Sequence, residues 1–172
     1  SHKLDFGAQL NYYNFQPGSL SPTSDVSNAA NFSLDKQNSI EFAVFIDDSW
    51  ELNDQLTLNA GLRIPVFMSL GAADVYQYDN NDFKQVTGIT DTVSYGAFEP
   101  IKTYVGLEPR LSLNYKLSET TSFKLGYNRI FQYLHLVTNT TAVTPIDIWQ
   151  PSGYYFEPQR ADQVSAGFFR NT

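Results

Sequence analysis

The chain is 172 residues long, 15% aromatic with Tyr and Phe dominant, free of cysteine, and carries a formal net charge of −7. That length allows a packed core, the acidic balance without a basic stripe argues against nucleic acid as a partner, and the missing thiols exclude disulfides and thiolate metal sites. The longest apolar run, Phe42–Ile46, falls far short of the roughly 20 residues of a membrane-crossing helix, yet a crossing strand needs only about 9–11 residues of alternating polarity.

Alternation is the period of a strand, and it recurs along the chain. In Lys3–Tyr13, Leu4, Phe6, Ala8, Leu10 and Tyr12 share one face, with Asp5, Gln9 and Asn11 on the other. Gln16–Lys36 reads as a loop, broken by Pro17, Gly18 and Pro22. Ser39–Leu52 is a second strand, with Ile40, Phe42, Val44, Ile46, Trp50 and Leu52 on its apolar face. Phe45 departs from the pattern, and Asp48 breaks the apolar face beside Trp50, as suits a membrane–water boundary. A tight turn at Asn53–Gln55 leads into Leu56–Val66, whose Leu56, Leu58, Ala60, Leu62, Ile64 and Val66 form an unbroken apolar face.

Met68–Pro100 reads as a long acidic and aromatic loop. A fourth strand spans about Lys102–Leu117, with Leu107, Pro109, Leu111, Leu113, Tyr115 and Leu117 outward. Pro109 removes a ladder donor, so a bulge is expected there. After the turn Ser118–Thr120, Phe123, Leu125, Tyr127, Phe131 and Tyr133 share a face of the fifth strand. A third long loop runs Leu134–Arg160, and a sixth strand begins near Asp162, with Val164, Ala166 and Phe168 on one side.

The connections therefore run long, short, long, short, long. In an up-and-down antiparallel sheet this puts every long loop at one edge and every turn at the other, the arrangement of outer-membrane barrels. A soluble β-sandwich also alternates, but several of these strands exceed the usual length of about 5–6 residues. The fold class expected is all-β, an antiparallel up-and-down transmembrane β-barrel segment of about six strands. Six strands cannot close a roomy barrel, since known ones start at about eight. The chain opens on Ser1-His2-Lys3 without an apolar leader and ends on Phe168–Thr172 in mid-pattern. We expect a piece of a longer protein, with strands missing on both sides.

Several blocks resemble TonB-dependent receptors. Phe45–Trp50, a tight turn and Leu56–Arg63 are similar to that family's acidic-Trp strand end and its returning Leu-Thr-Leu…Gly-Leu-Arg strand, and Glu108–Leu113 is similar to its Pro-Arg strand. Tyr127-Asn128-Arg129, Gln132–Leu136, Asn139–Thr141, Pro145, Asp147–Trp149, Pro151-Ser152, Pro158-Gln159, Ala161–Val164 and Gly167–Asn171 together resemble the subgroup carrying a carboxypeptidase-regulatory-like domain ahead of the plug. The resemblance implies a larger barrel of about 22 strands, of which 1–172 is a partial wall, with plug domain and remaining strands absent. It also implies a cell outer membrane location and import of a scarce nutrient. The implied partners are outer-membrane lipid, the TonB complex through the plug, and an extracellular nutrient ligand. The rival expectations are another outer-membrane barrel (porin, adhesin or assembly factor) and a soluble β-sandwich binding module.

No catalytic set is legible. His2 and His135 are the only histidines, and no nucleophile–base–acid arrangement accompanies them. No cofactor or metal is expected, and Asp79–Asp82 reads as a solvated loop tip rather than a Ca²⁺ loop. Asn31–Ser33 and Asn139–Thr141 match a glycosylation pattern that means little in a bacterial membrane protein. Glu41, Arg63, Glu108 and Arg110 are candidate lumen-facing charges, read first as structural ion pairs and second as substrate contacts. His135, Trp149, Tyr154, Tyr155 and Arg160 are candidate extracellular-loop ligand contacts, because aromatic rings can stack on sugars or close over a ligand.

Overall fold

The computed structural model describes residues 1–16, 19–20, 32–33, 35–79, 86–138 and 147–170. Asn80–Asp82, Asn139–Thr141, Pro17, Gly18, Pro22, Pro145 and Asn171 of the sequence reading lie outside them. Among the described residues, thirteen strands follow in order: β1 (His2–Phe15), β2 (Ser19–Leu20), β3 (Phe32–Ser33), β4 (Gln37–Asn53), β5 (Leu56–Leu70), β6 (Ala73–Tyr78), β7 (Ile89–Tyr95), β8 (Pro100–Val105), β9 (Glu108–Ser118), β10 (Thr121–Gln132), β11 (Leu134–Thr138), β12 (Asp147–Pro151) and β13 (Gln159–Arg170).

One antiparallel sheet, β1-β4-β5-β9-β10-β13, dominates, with β8 also paired to β5. Neighbours in the sheet follow one another along the chain, as in an up-and-down meander. Tight turns join β4 to β5 and β9 to β10. At the first of these, Asn53 Oδ1 accepts from the backbone N–H groups of Gln55 and Leu56, each at 2.9 Å, and so closes the turn. The other connections are long and lie at the opposite edge. Each carries its own hairpin: β2–β3, β6–β7 and β11–β12.

The registers align the apolar rows across strands. Phe6 stands opposite Ile46, which stands opposite Leu62 and then Pro109. Trp50, Leu58, Leu113 and Leu125 form another row. This face is bare: Phe6 is 77%, Leu10 69% and Val164 81% exposed. A sheet surrounded by water does not leave so large an apolar surface uncovered, whereas lipid solvates it. At the turn edge, Asp48 on this face meets His2 Nδ1 at 2.8 Å, and the His2 ring stacks on Trp50 with centroids 5.1 Å apart. The charge that interrupts the apolar alternation thus has a polar partner where the sheet meets the boundary.

Phe45 stands on the polar face for a local reason. Its ring covers Gly7 on the neighbouring strand so closely that a Cβ at Gly7 would lie 2.7 Å from it. The aromatic ring fills the space that the glycine leaves open in the sheet.

Three expectations are corrected. Met68–Pro100 is not one loop: β5 continues to Leu70, and β6 and β7 pair from Ala73↔Tyr95 onward. No bulge forms at Pro109, because β5 pairs Val66 with Val105 and Leu62 with Pro109 in one unbroken register. The ladder is interrupted instead at Gly106 and Leu107, opposite Pro65. There Gly106 N donates to Pro65 O at 2.9 Å, and Pro65 has no N–H to return. Finally, Tyr133 does not share the outward face of Leu125. It lies beyond β10, is buried, and stacks on Phe67, whose place in β5 is on the polar face.

The packed core therefore sits on the polar side, near the edge that carries the long connections. Phe67 is fully buried there with Ala43, Pro65 and Tyr133, while Phe131, which its register with Arg160 keeps on the outward row, borders the cluster where the β9–β10 ladder has ended, with its centroid 6.3 Å from that of Tyr133. Gly106 belongs to the same cluster. A Cβ at that position would approach Phe131, Pro65 and Tyr133 to 2.9 Å each.

Candidate functional site

The first polar assembly runs across five strands. Tyr13 of β1 donates to Glu41 Oε2 of β4 at 3.0 Å. Arg63 of β5 donates from Nη2 to Glu41 Oε1 at 2.7 Å and from Nη1 to Glu108 Oε2 at 2.9 Å. Glu108 Oε1 in turn accepts from the backbone N–H of Phe131 at 2.9 Å. That last bond has a backbone cause. The β9–β10 ladder ends at Arg110↔Asn128, and the next residue of β9, Pro109, has no donor. Glu108 supplies from its side chain a partner for β10 that the ladder no longer provides.

The three charged side chains are 12%, 17% and 3% exposed for Glu41, Arg63 and Glu108. One guanidinium thus holds two largely desolvated carboxylates, with both terminal nitrogens engaged, the fork geometry that suits Arg. Arg110 is not part of this assembly. It is exposed, and lines a groove of about 430 Å³ on the polar face with Lys3, Asp5, Asp47, Asn59 and Asn128.

The second assembly is a cleft of about 310 Å³ where the long connections meet. Tyr76 and Tyr78 of β6 line it with Tyr154, Tyr155 and Phe156, and Lys36 and Asp74 add opposite charges. The rings are interlocked. Tyr155 packs edge-on against Tyr78 and Tyr154 at 5.7 and 4.8 Å, and its hydroxyl donates to the Tyr76 carbonyl. Lys102 Nζ lies over the rings of Tyr104 and Tyr154 at 5.8 and 5.7 Å.

A set of buried and half-buried contacts holds the third connection in place behind this cleft. Ser152 N donates to Tyr133 O at 2.7 Å, and Tyr104 OH donates to Gly153 O at 2.7 Å. Gln37 and Gln150 exchange amide hydrogen bonds at 3.2 and 3.0 Å. His135 is 4% exposed, meets Ser152 Oγ through Nε2 at 3.1 Å, and has Phe156 edge-on at 4.6 Å. Burial pushes its pKa below the ordinary histidine range, which favours the neutral ring.

Of the five loop residues picked from sequence, Tyr154 and Tyr155 line the cleft. His135 lies beneath the surface as a packing residue. Trp149 is 53% exposed on β12, outside the cleft. Arg160 belongs to β13, not to the loop, and stands by Asp162. Sequence reasoning missed Tyr76, Tyr78 and Phe156 in the cleft and Tyr13 in the charged assembly. The alternation in Asp74-Val75-Tyr76-Gln77-Tyr78 was the available signal for β6, and it was hidden inside a segment read as loop.

The family model described as TonB dependent receptor-like, beta-barrel, matches residues 1–169. No curated protein and no solved structure matches the chain. Members of that family are transport receptors of the outer membrane and not enzymes. With a membrane-type antiparallel sheet, long connections gathered at one edge and a match over nearly its whole length, this chain belongs to the TonB-dependent receptor family as β-barrel wall.

Proposed function

We propose that the chain forms part of the wall and part of the outer mouth of an outer-membrane receptor that imports a scarce nutrient. The observation that carries this reading is the aromatic cleft built from two long connections, above a sheet whose other face is suited to lipid. Tyr154 and Tyr155 are the residues assigned to the ligand, joined by Tyr76 and Tyr78. Trp149 is exposed at the same edge and is available to a larger ligand. Glu41, Arg63 and Glu108 line the inside of the wall as a structural brace, with Arg110 beside them facing the lumen.

β1 and β13 each pair on one side only among the described residues. Unpaired strand edges are costly in lipid, so further strands flank this sheet in the whole barrel, and a plug fills its lumen. The block from Tyr127 to Asn171 supports membership of the subgroup with a carboxypeptidase-regulatory-like domain. Transport energy then arrives through TonB acting on the plug.

Uptake into cells tests this reading. Cells lacking and carrying the protein are compared for accumulation of labelled ferric siderophore, cobalamin, oligosaccharide and peptide, with and without a protonophore. One nutrient accumulates only with the protein and only while the proton gradient stands. Tyr155→Ala raises its half-saturation concentration about tenfold, the equivalent of about 1.4 kcal/mol, within the range of an aromatic contact. Uptake that survives the protonophore contradicts the proposal and favours a passive porin.

A further inference from the structure

The lipid-facing side of β10 and β13 carries charges that the apolar pattern does not account for. Register and alternation put Tyr127 and Arg129 on the face of Leu125, and Asp162 and Arg160 on the face of Val164. Arg129 Nε donates to Asp162 Oδ1 at 2.7 Å, Tyr127 OH donates to the same oxygen at 2.8 Å, and Arg160 Nε lies 3.6 Å from Asp162 Oδ2. One carboxylate thus faces two guanidinium groups, and no other carboxylate among the described residues pairs with either. The cluster holds one excess positive charge on a face where charges are costly.

Beside it lies an apolar hollow of about 300 Å³, lined by Leu58, Leu111, Leu113, Leu125, Tyr127 and Val164. Tyr127 belongs to both features. β10 runs from its tight turn toward the third long connection, and β13 runs back from it, so Arg129, Asp162 and Arg160 close the hollow on the side of the long loops. In an outer membrane that is the side of the outer-leaflet headgroups.

We propose that this is a binding site for an anionic, phosphate-bearing lipid of the outer leaflet. The hollow takes acyl chain, and Arg129 and Arg160 take the phosphate. Guanidinium groups pair with phosphate through parallel N–H donors, and both contacts to Asp162 use Nε, which leaves the terminal NH₂ groups as donors for the headgroup. The inference rests on the outer-membrane reading above, because only there does this face meet lipid.

The test uses the protein purified from its outer membrane in detergent. Native mass spectrometry follows its adducts with lipid A, with dephosphorylated lipid A, and with lipid A plus excess inorganic phosphate. The wild-type protein retains lipid A, releases the dephosphorylated form, and is not stripped by inorganic phosphate. Arg160→Gln weakens retention about fivefold, the factor for one Arg near a charged surface, and Arg129→Gln with Arg160→Gln abolishes it. Arg160 touches Asp162 only at 3.6 Å, so its substitution leaves the Arg129–Asp162 pair to hold the strands. Equal retention of both lipid forms, or equal retention by the variants, overturns the site. Displacement by inorganic phosphate makes the ligand a free anion and also overturns it. A protein that binds no lipid and stays monodisperse without detergent instead defeats the membrane reading itself.

Discussion

Arg63→Met lowers the stability of the folded sheet by about 3–5 kcal/mol, the cost of removing one partner from a buried ionic group. The loss is not the value of two salt bridges. It arises because Glu41 and Glu108, 12% and 3% exposed, stay behind with their charges uncompensated. Tyr13 and the Phe131 N–H still donate to them, but neutral donors do not balance two anions. The triple variant Glu41→Gln, Arg63→Met, Glu108→Gln recovers most of the loss, since a Gln oxygen still accepts from each neutral donor and no charge remains buried. Urea midpoints followed by heat-modifiable gel mobility measure both variants. Equal destabilisation by the single and triple variants would show that Arg63 acts through packing instead.

Phe67→Ala costs a similar amount, about 3–5 kcal/mol for a fully buried ring, but its damage is local. Phe67 has no exposed surface and lies flat against Tyr133, with centroids 4.8 Å apart and planes 5° apart. Tyr133 is the point where the chain leaves β10 and its carbonyl receives the Ser152 N–H, so this ring anchors the third connection to the sheet. Hydrogen exchange is the fitting measurement. Amides in β11 and around Ser152–Phe156 lose protection in the variant, while β1 and β4 keep theirs. Tyr133→Phe is the control. The Tyr133 hydroxyl is buried with no hydrogen-bond partner among the described residues, so its removal leaves stability unchanged or slightly raised. Uniform loss of protection in Phe67→Ala would deny the ring its anchoring role.

The sheet was largely legible because lipid and lumen impose a period of two on each strand. Leu56–Val66 shows it without a break, and its register with Val44, Ile46 and Trp50 follows from the tight turn between them. What failed to show depends on residues distant in the chain. Phe45 breaks the pattern to cover Gly7, a partner visible only once β1 and β4 pair. Pro109 drew attention as a ladder breaker against β5, yet Pro65 on the facing strand produces that interruption, and the missing donor of Pro109 matters on the β10 side. Sequence cannot say toward which neighbour a given N–H points.

The cleft was half legible. Tyr154 and Tyr155 stood out as adjacent aromatics in a long connection. Tyr76 and Tyr78 join them only because β6–β7 folds beside the third connection, a choice made by tertiary packing. Arg160 stands at the very end of the segment Leu134–Arg160 that reads as loop in the sequence. Its pairing with Phe131 draws it into β13 instead, beside Asp162.

Outer-membrane placement turns on which medium bathes the alternating face. Because the chain has no cysteine, nitroxide labels can be introduced one at a time at Val44→Cys, Ile46→Cys, Asp47→Cys and Ser49→Cys in the protein reconstituted into bilayers. Spin relaxation by oxygen, which concentrates in lipid, and by a water-soluble nickel chelate then reports the surroundings of each label. In a barrel wall, labels at 44 and 46 relax with oxygen and those at 47 and 49 with nickel. Nickel access at all four positions, in a protein that stays monodisperse without detergent, would contradict that placement.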